Sequence, residues 1–275
     1  MKATEFVSEI ERLPKAGYVG GKSTLKQDPE YVKKNALPTA KPLPGGSGLL
    51  YGIEVRNYQT IVRIYDPETN QPIGALKLDK KEKERWPIQP AYQVDTITTD
   101  EDYQGQSIAK SLYGIVLTIM RATLLAGAQQ TPGGRALWVR LTREIPGVEV
   151  TGYLTVSDLD LEVDTSGIPK NLPDFAKMEK ALARSAQKTI DSIQSLGAQY
   201  IGEINDGGLG RQADARRVYQ FPVTVDITTR GEEVANADKK SKIAIYNNFI
   251  PKYNSAGKRA TERPWETGLM ARWLG

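Results

Sequence analysis

At 275 residues the chain can bury a large core in one or two domains. It contains no Cys and no His, which excludes disulfides, thiolate metal sites, Cys nucleophiles and any triad built on a His base; acid–base chemistry is left to carboxylates, Lys, Tyr or a chain terminus. The net charge of +4 is unevenly placed: Lys239–Gly275 carries +6 and Met1–Leu50 carries +3, which leaves −5 on Tyr51–Asp238. Basic ends of this kind suit nucleic acid or an acidic protein surface, and equally suit solvated extensions. The apolar run Ile108–Leu125 is interrupted by Lys110 and Arg121, so it reads as a core helix and not as a membrane span.

Taken in order, Met1–Leu13 reads as a short amphipathic helix and not as a signal peptide. The rest of residues 1–48 is dense in Gly and Pro and reads as an extended N-terminal arm. A core domain is expected over 49–227, opening with strands Leu50–Val55, Thr60–Tyr65 and Ile73–Leu78. Asp66–Gln71 is a good hairpin connection, and alternation sets Leu76 and Leu78 on one face with Lys77 on the other. Lys80–Arg85 is a charged, solvated loop. Tyr92–Thr99 alternates as a strand, and Asp100, Glu101 and Asp102 end it. Gln104–Ala109 opens a long apolar helix that runs to Leu125.

Thr131-Pro132-Gly133-Gly134 reads as a break and Ala136–Leu141 as the next strand, completing a parallel strand–helix–strand unit. An insertion at 142–170 holds a hairpin, Val148–Val150 and Tyr153–Val156. There Asp158, Asp160 and Glu162 alternate with Leu159 and Leu161; no calcium-loop pattern accompanies them, so no metal site is assigned. Asn171–Leu196 is a second helix, capped by Asn171, with Pro173 in its first turn and Gly197 as its stop. Ala198–Glu203 and Arg217–Val225 are strands joined through the mobile connection Asp206–Gly210, and residues 228–275 form a basic, aromatic extension. The fold class expected is α/β in the α+β sense, a mixed, mostly antiparallel sheet around one parallel unit.

Chemistry concentrates at the end of the Tyr92–Thr99 strand. Strand, tight turn and helix N-terminus make an anion site from backbone N–H groups alone. The turn resembles the pyrophosphate loop of the GNAT (N-acetyltransferase) superfamily, whose pattern is Gln or Arg, two residues, Gly, one residue, then Gly or Ala. Gln104 fills the first position, Gly105 and Gln106 the variable pair, Ile108 the spacer and Ala109 the last; Ser107 stands where the family has its middle glycine. The resemblance implies acetyl-CoA as acyl donor, held by Thr98 and Gln104–Ala109, with the pantetheine arm between splayed strands Val94–Thr99 and Leu137–Leu141. It also implies a base on the central strand. Gln93 stands at the family's common base position, and Asp95, two residues on and on the same face, is the candidate. Tyr153 is the candidate acid for the leaving thiolate.

Three functions stay open. One is an acyl-CoA-dependent transfer of an acetyl group to an amine, in the cytoplasm. A second is a non-catalytic protein of the same fold that assembles through residues 1–48 and 239–275, like the GNAT-like proteins of tailed phages that serve as virion components. A third is nucleic-acid binding through the basic C-terminal segment, with Tyr246, Tyr253, Trp265 or Trp273 stacking on bases.

Overall fold

The computed structural model describes residues 25–127, 132–157, 170–171, 174–205, 215–222 and 266–275. The expected helix Met1–Leu13, the carboxylates Asp158, Asp160 and Glu162, the connection Asp206–Gly210 and the aromatic stretch Lys242–Trp265 lie outside them. The fold class is α+β, with mostly antiparallel strands and a parallel pair. Two compact units divide the chain: one comprises Met1–Lys80, Pro90–Glu149 and Ala271–Gly275, the other Lys81–Gln89 and Val150–Met270.

In the first unit a short helical segment, Pro29–Tyr31 followed by Val32–Ala36 and Leu37–Thr39, leads into β1 (Lys41–Pro42). Next come β2 (Leu50–Arg56), β3 (Gln59–Asp66), β4 (Gln71–Lys81), β5 (Ala91–Thr99) and β6 (Thr123–Leu125), hydrogen-bonded side by side in that order. β2, β3 and β4 form an antiparallel meander with Val62 opposite Leu76 and Ile61 opposite Lys77. Alternation therefore gives the meander two unlike faces. On one, Val62, Ile64, Leu76 and Leu78 are fully buried. Helix α1 (Ile108–Gly114) packs here, because a Cβ on Gly74 would collide with Ile108 and lie 3.3 Å from Leu112. The other face carries Glu54, Arg63 and Lys77.

Two expectations are corrected in this unit. The helix does not run to Leu125. It widens into a π-helix over Ile115–Ile119, where Thr118 Oγ1 donates to the Gly114 carbonyl, and it unwinds at Arg121, whose φ is 51°. Thr123–Leu125 is then the strand that pairs in parallel with β5, Ala91 opposite Thr123 through Gln93 opposite Leu125. An unbroken apolar run does not distinguish helix from strand, and only the turn at Arg121 divides this one. The strand–helix–strand unit is thus present, but its second strand is not Ala136–Leu141. That stretch is inside helix α2 (Pro132–Glu144). Pro132 takes the first helical position, where its missing N–H costs nothing. Trp138 and Leu141 are buried, as is Ile145 just past the helix, at helical rather than alternating spacing. Trp138 meets Tyr113 of α1 edge-on at 5.6 Å, and burial pushes the Tyr113 phenol up to about 12.

The insertion is not a hairpin: Val148–Ser157 is one strand, β7, running straight through Thr151-Gly152. In the second unit β7 pairs antiparallel with β9 (Ala215–Pro222), and β9 with β8 (Gln199–Asn205). Gly152 stands opposite Phe221, whose ring fills the space a side chain at 152 would need. Helix α3 (Phe175–Ser195) closes this core with Ile193 against Leu154, Val156 and Phe221. Its N-cap is Asp174, not Asn171, with Lys177 Nζ 2.8 Å from the Asp174 carboxylate. Gly197, at φ 66°, ends it as expected. The C-terminal stretch supplies strand β10 (Glu266–Trp273), in which Leu269, Met270 and Ala271 are buried. Its last residues lie in the first unit. Arg272 donates to Glu149 through Nε and Nη2 at 3.0 and 2.9 Å, Arg121 lies over the Trp273 ring at 4.9 Å, and Leu274 N–H donates to the Gly147 carbonyl at 2.7 Å.

The α1–β4 contact depends on the absence of a side chain at 74. Gly74→Ala is expected to destabilise the protein by about 1–3 kcal/mol, the usual cost of overpacking. The double variant Gly74→Ala/Ile108→Ala is expected to be more stable than the sum of the two single losses, as read from urea denaturation midpoints.

Candidate functional site

The connection between β5 and α1 is built by local rules. Asp100 caps a single 3₁₀ turn, Glu101–Tyr103, its Oδ1 accepting the Asp102 N–H at 3.0 Å. Across the β3–β4 connection, Tyr103 donates its hydroxyl to Asp66 Oδ2 at 2.5 Å. This bond, more than any other effect, holds the Asp66 carboxyl below its ordinary range, and the same bond pushes the Tyr103 phenol up. The turn then bends twice through left-handed backbone, at Gly105 (φ 82°) and at Ser107 (φ 62°, ψ 18°). Glycine adopts that conformation freely; serine does so at a cost.

Ser107 is the N-cap of α1 and makes no side-chain capping bond. The first i→i−4 bond runs from Ser111 N–H to the Ser107 carbonyl at 2.9 Å. Helix geometry sets the amides of Ile108, Ala109 and Lys110 ahead of that ladder, with the positive end of the helix dipole behind them. Gln104, Gly105, Gln106 and Ser107 are all exposed, Ala109 is half-buried, and the Ile108 side chain is buried beneath them. The turn is therefore open to solvent, with the amides of Gln104 and Gln106 spent on the Glu101 and Tyr103 carbonyls. Its surroundings are acidic: Asp100, Glu101 and Asp102 lead directly into it.

Beside the turn, the parallel β5–β6 pairing lasts three residue pairs and ends at Gln93–Leu125, whereas β5 continues to Thr99. A Cβ on Gly127 would lie 2.6 Å from the Val94 carbonyl oxygen, so the backbones are still close just past β6. Thr98, half-buried, stands on this continued part of β5. Asp95 is exposed on the charged face of the meander, and Lys77 Nζ lies 2.7 Å from its Oδ2. This ion pair holds the Lys77 ammonium above its ordinary pKa. Lys77 was legible only as a polar residue of an alternating strand; what brings it to Asp95 is the register of β4 on β5.

A second ionic row lies on the same face. Glu54 receives Arg56 and, at 2.7 Å, the buried Arg63. Burial alone would raise the Glu54 carboxyl, but the hydrogen bonds from Arg63 and Arg56 outweigh it and hold it low. A cavity of about 240 Å³ opens there, lined by Gln27, Tyr31, Glu54, Arg63 and Tyr65 among others; none of Gln104–Ala109 takes part in it. Among the described residues no cluster of carboxylates could hold a metal ion.

Tyr153 lies in the second unit. It is buried, its ring meets Trp86 edge-on at 4.8 Å, and it packs so closely on Gly268 that a Cβ there would be 2.8 Å from the ring. The turn, Thr98 and Asp95 thus belong to one unit and Tyr153 to the other.

The sequence matches no protein-family model and no curated protein. Solved structures similar to the chain include the ribosomal-protein-S5-alanine acetyltransferase from Vibrio fischeri, at 12% identity over 60% of this chain and 61% of that one, with a TM-score of 0.21. The chain thus spans about 61% of that protein's length. A protein from Bacteroides thetaiotaomicron described as a GNAT-family acetyltransferase is 9% identical over 85% of this chain and 88% of that one, with a TM-score of 0.21. A GCN5-related N-acetyltransferase from Kribbella flavida is 12% identical over 78% of this chain and 60% of that one, with a TM-score of 0.24.

Two outcomes follow from the turn. Ser107→Gly relieves a left-handed residue that costs about 1–2 kcal/mol, and loses roughly 0.5–1 kcal/mol to the greater freedom of glycine when unfolded. The net is expected to be a gain of about 0.5–1 kcal/mol in urea denaturation; a loss would show that the serine side chain is itself in use. The Asp66–Tyr103 bond requires an ionised Asp66, whose depressed pKa makes its contribution fade as pH falls below about 4. It also requires a neutral Tyr103, whose raised pKa makes the contribution fade as pH rises past about 10. Tyr103→Phe should therefore lower the melting temperature most between those limits and converge with the wild type at both extremes.

Proposed function

We propose that the protein is an acyl-CoA-dependent N-acyltransferase of the GNAT type. The observation that carries the proposal is the turn at Gln104–Ser107: open to solvent, left-handed at Gly105 and Ser107, and followed by helix amides that precede the hydrogen-bonded ladder. Such a turn suits a diphosphate, because the amides and helix dipole replace the basic side chains that the segment lacks. The short parallel pair supports the same reading, since beyond Gln93 the edge of β5 is no longer held by β6.

In this reaction the acceptor amine attacks the thioester carbonyl carbon, the C–S bond breaks, and the acyl group ends on nitrogen. A β5 backbone N–H beside Thr98 stabilises the developing oxyanion. Asp95 takes the amine proton directly or through a water, and the departing thiolate is protonated in turn. Lys77 then has a defined part. Its ammonium grips the carboxylate that must act as base, so the pair has to open, or a water has to relay, before Asp95 can accept a proton.

A second reading, a non-catalytic protein of this fold working through partners, is favoured by that same ion pair and by the carboxylates Asp100–Asp102. These would repel a diphosphate at the turn. Assembly through the basic ends, in a virion or elsewhere, belongs to this reading, as does nucleic-acid binding.

Titration with acetyl-CoA separates the two. At a hundred times its dissociation constant the ligand is expected to stabilise the protein by about 2.7 kcal/mol, and Gly105→Val is expected to abolish the shift. Absence of any shift at millimolar acetyl-CoA removes the transferase reading. If the shift is seen, Asp95→Asn is expected to slow turnover by about 10²–10⁴-fold without changing acetyl-CoA affinity. Unchanged turnover takes Asp95 out of the mechanism.

A further inference from the structure

We propose that the free edge of β2 is a self-association surface, on which two copies of the chain pair antiparallel about a two-fold axis at Val55. β1 pairs with β2 only through Lys41–Tyr51 and Pro42–Leu50, so among the described residues Gly52–Arg56 have no partner strand on that side. The two-residue connection makes Arg56–Gln59 the closing pair of the β2–β3 hairpin. Alternation from that pair sends the N–H and C=O of Ile53 and Val55 to the open edge. An unpaired edge of this kind is a template for another strand.

The side chains select both the occupant and the register. Val55 and Tyr58 are 71% and 74% exposed, and Tyr31 and Ile53, 55% and 39% exposed, adjoin the same edge beside the cavity. Exposed apolar side chains along an unpaired edge favour burial against another surface. Charges flank Val55 on the opposite face: Glu54 before it, Arg56 after it. Glu54 and Arg56 already pair within each strand; with Val55 opposite Val55 of a second copy, each Glu54 also falls opposite the other copy's Arg56, so that the two pairs close into one alternating ring of four charges around the axis. Centring the pair on Glu54 instead would oppose two carboxylates, which is unfavourable. The strand is thus complementary to itself in one register, and a second copy of this chain is the partner that fits it. With so few paired residues, the association is expected to be weak and concentration-dependent.

The experiment uses the full chain. Sedimentation velocity at concentrations up to about 1 mM, the weak end of the affinity scale, is expected to show a reversible monomer–dimer equilibrium. Val55→Lys, which sets two ammonium groups on the axis, and Arg56→Glu, which sets carboxylate against carboxylate, are each expected to raise the dissociation constant at least tenfold. Circular dichroism at low concentration should be unchanged in both.

Because the protein has no cysteine, Val55→Cys supplies a single thiol placed to meet its twin. Under mild oxidation by diamide it is expected to form a disulfide-linked dimer much faster than Ile119→Cys, an exposed site away from this edge. A wild-type chain that stays monomeric throughout, a dimer indifferent to both charge substitutions, or equal cross-linking at 55 and 119 each overturns the proposal.

Discussion

The approach of α1 to β4 governs the first unit. With no side chain at Gly74, Ile108 sinks against the strand, and the helix axis comes close enough for Leu112 to follow. Once Ile108 is fixed there, the chain arriving from β5 has little length in which to reach it. Asp100 and Tyr103 consume part of that length in a 3₁₀ turn pinned to Asp66, and the remainder must reverse through left-handed backbone at Gly105 and Ser107. The exposed turn at the helix mouth is therefore a product of packing below it. The burial of one isoleucine holds it at the surface, whatever it binds.

The meander that supports this helix has two chemically unlike faces. The side toward α1 is apolar but for Thr60. The other bears Arg56, Glu54 and Arg63 in one row and Lys77 with Asp95 in another. Arg63 is buried, so loss of Glu54 would take a carboxylate partner from a desolvated cation, whereas the half-exposed Lys77–Asp95 pair is screened by water and can open at small cost. The two rows therefore differ in kind: the first is structural, the second is available for exchange. A carboxylate that has to change partners during a reaction is better placed in the second.

Much of the architecture was written in local patterns. Leu76 and Leu78 alternate with Lys77, and the acidic triplet after Thr99 stops a strand without ambiguity. Gly197 ends α3 because its left-handed backbone is open to little else. The failures share a cause. Thr123–Leu125 continues an apolar run that began in a helix, and the division rests on one arginine in a backbone conformation that its side chain does not advertise. Ala136–Leu141 carries β-favouring residues, yet Trp138 packs on Tyr113, and such tertiary partners override short-range preference. The site was legible to the same extent. The turn could be read from spacing, whereas the pairing of Asp95 with Lys77 depends on how two strands align, and no single strand encodes that.

The contact between Arg272 and Glu149 spans 123 positions of sequence. A nascent polypeptide emerging from the ribosome would have β2 to α2 in hand long before Arg272, Trp273 and Leu274 arrive to close over Gly147 and Arg121. Until then Glu149 lacks that guanidinium and the indole site beside Arg121 stays vacant. Closure of the first unit thus waits on a long loop and its entropy, and Arg272, Trp273 and Leu274 act as the latch that ends it.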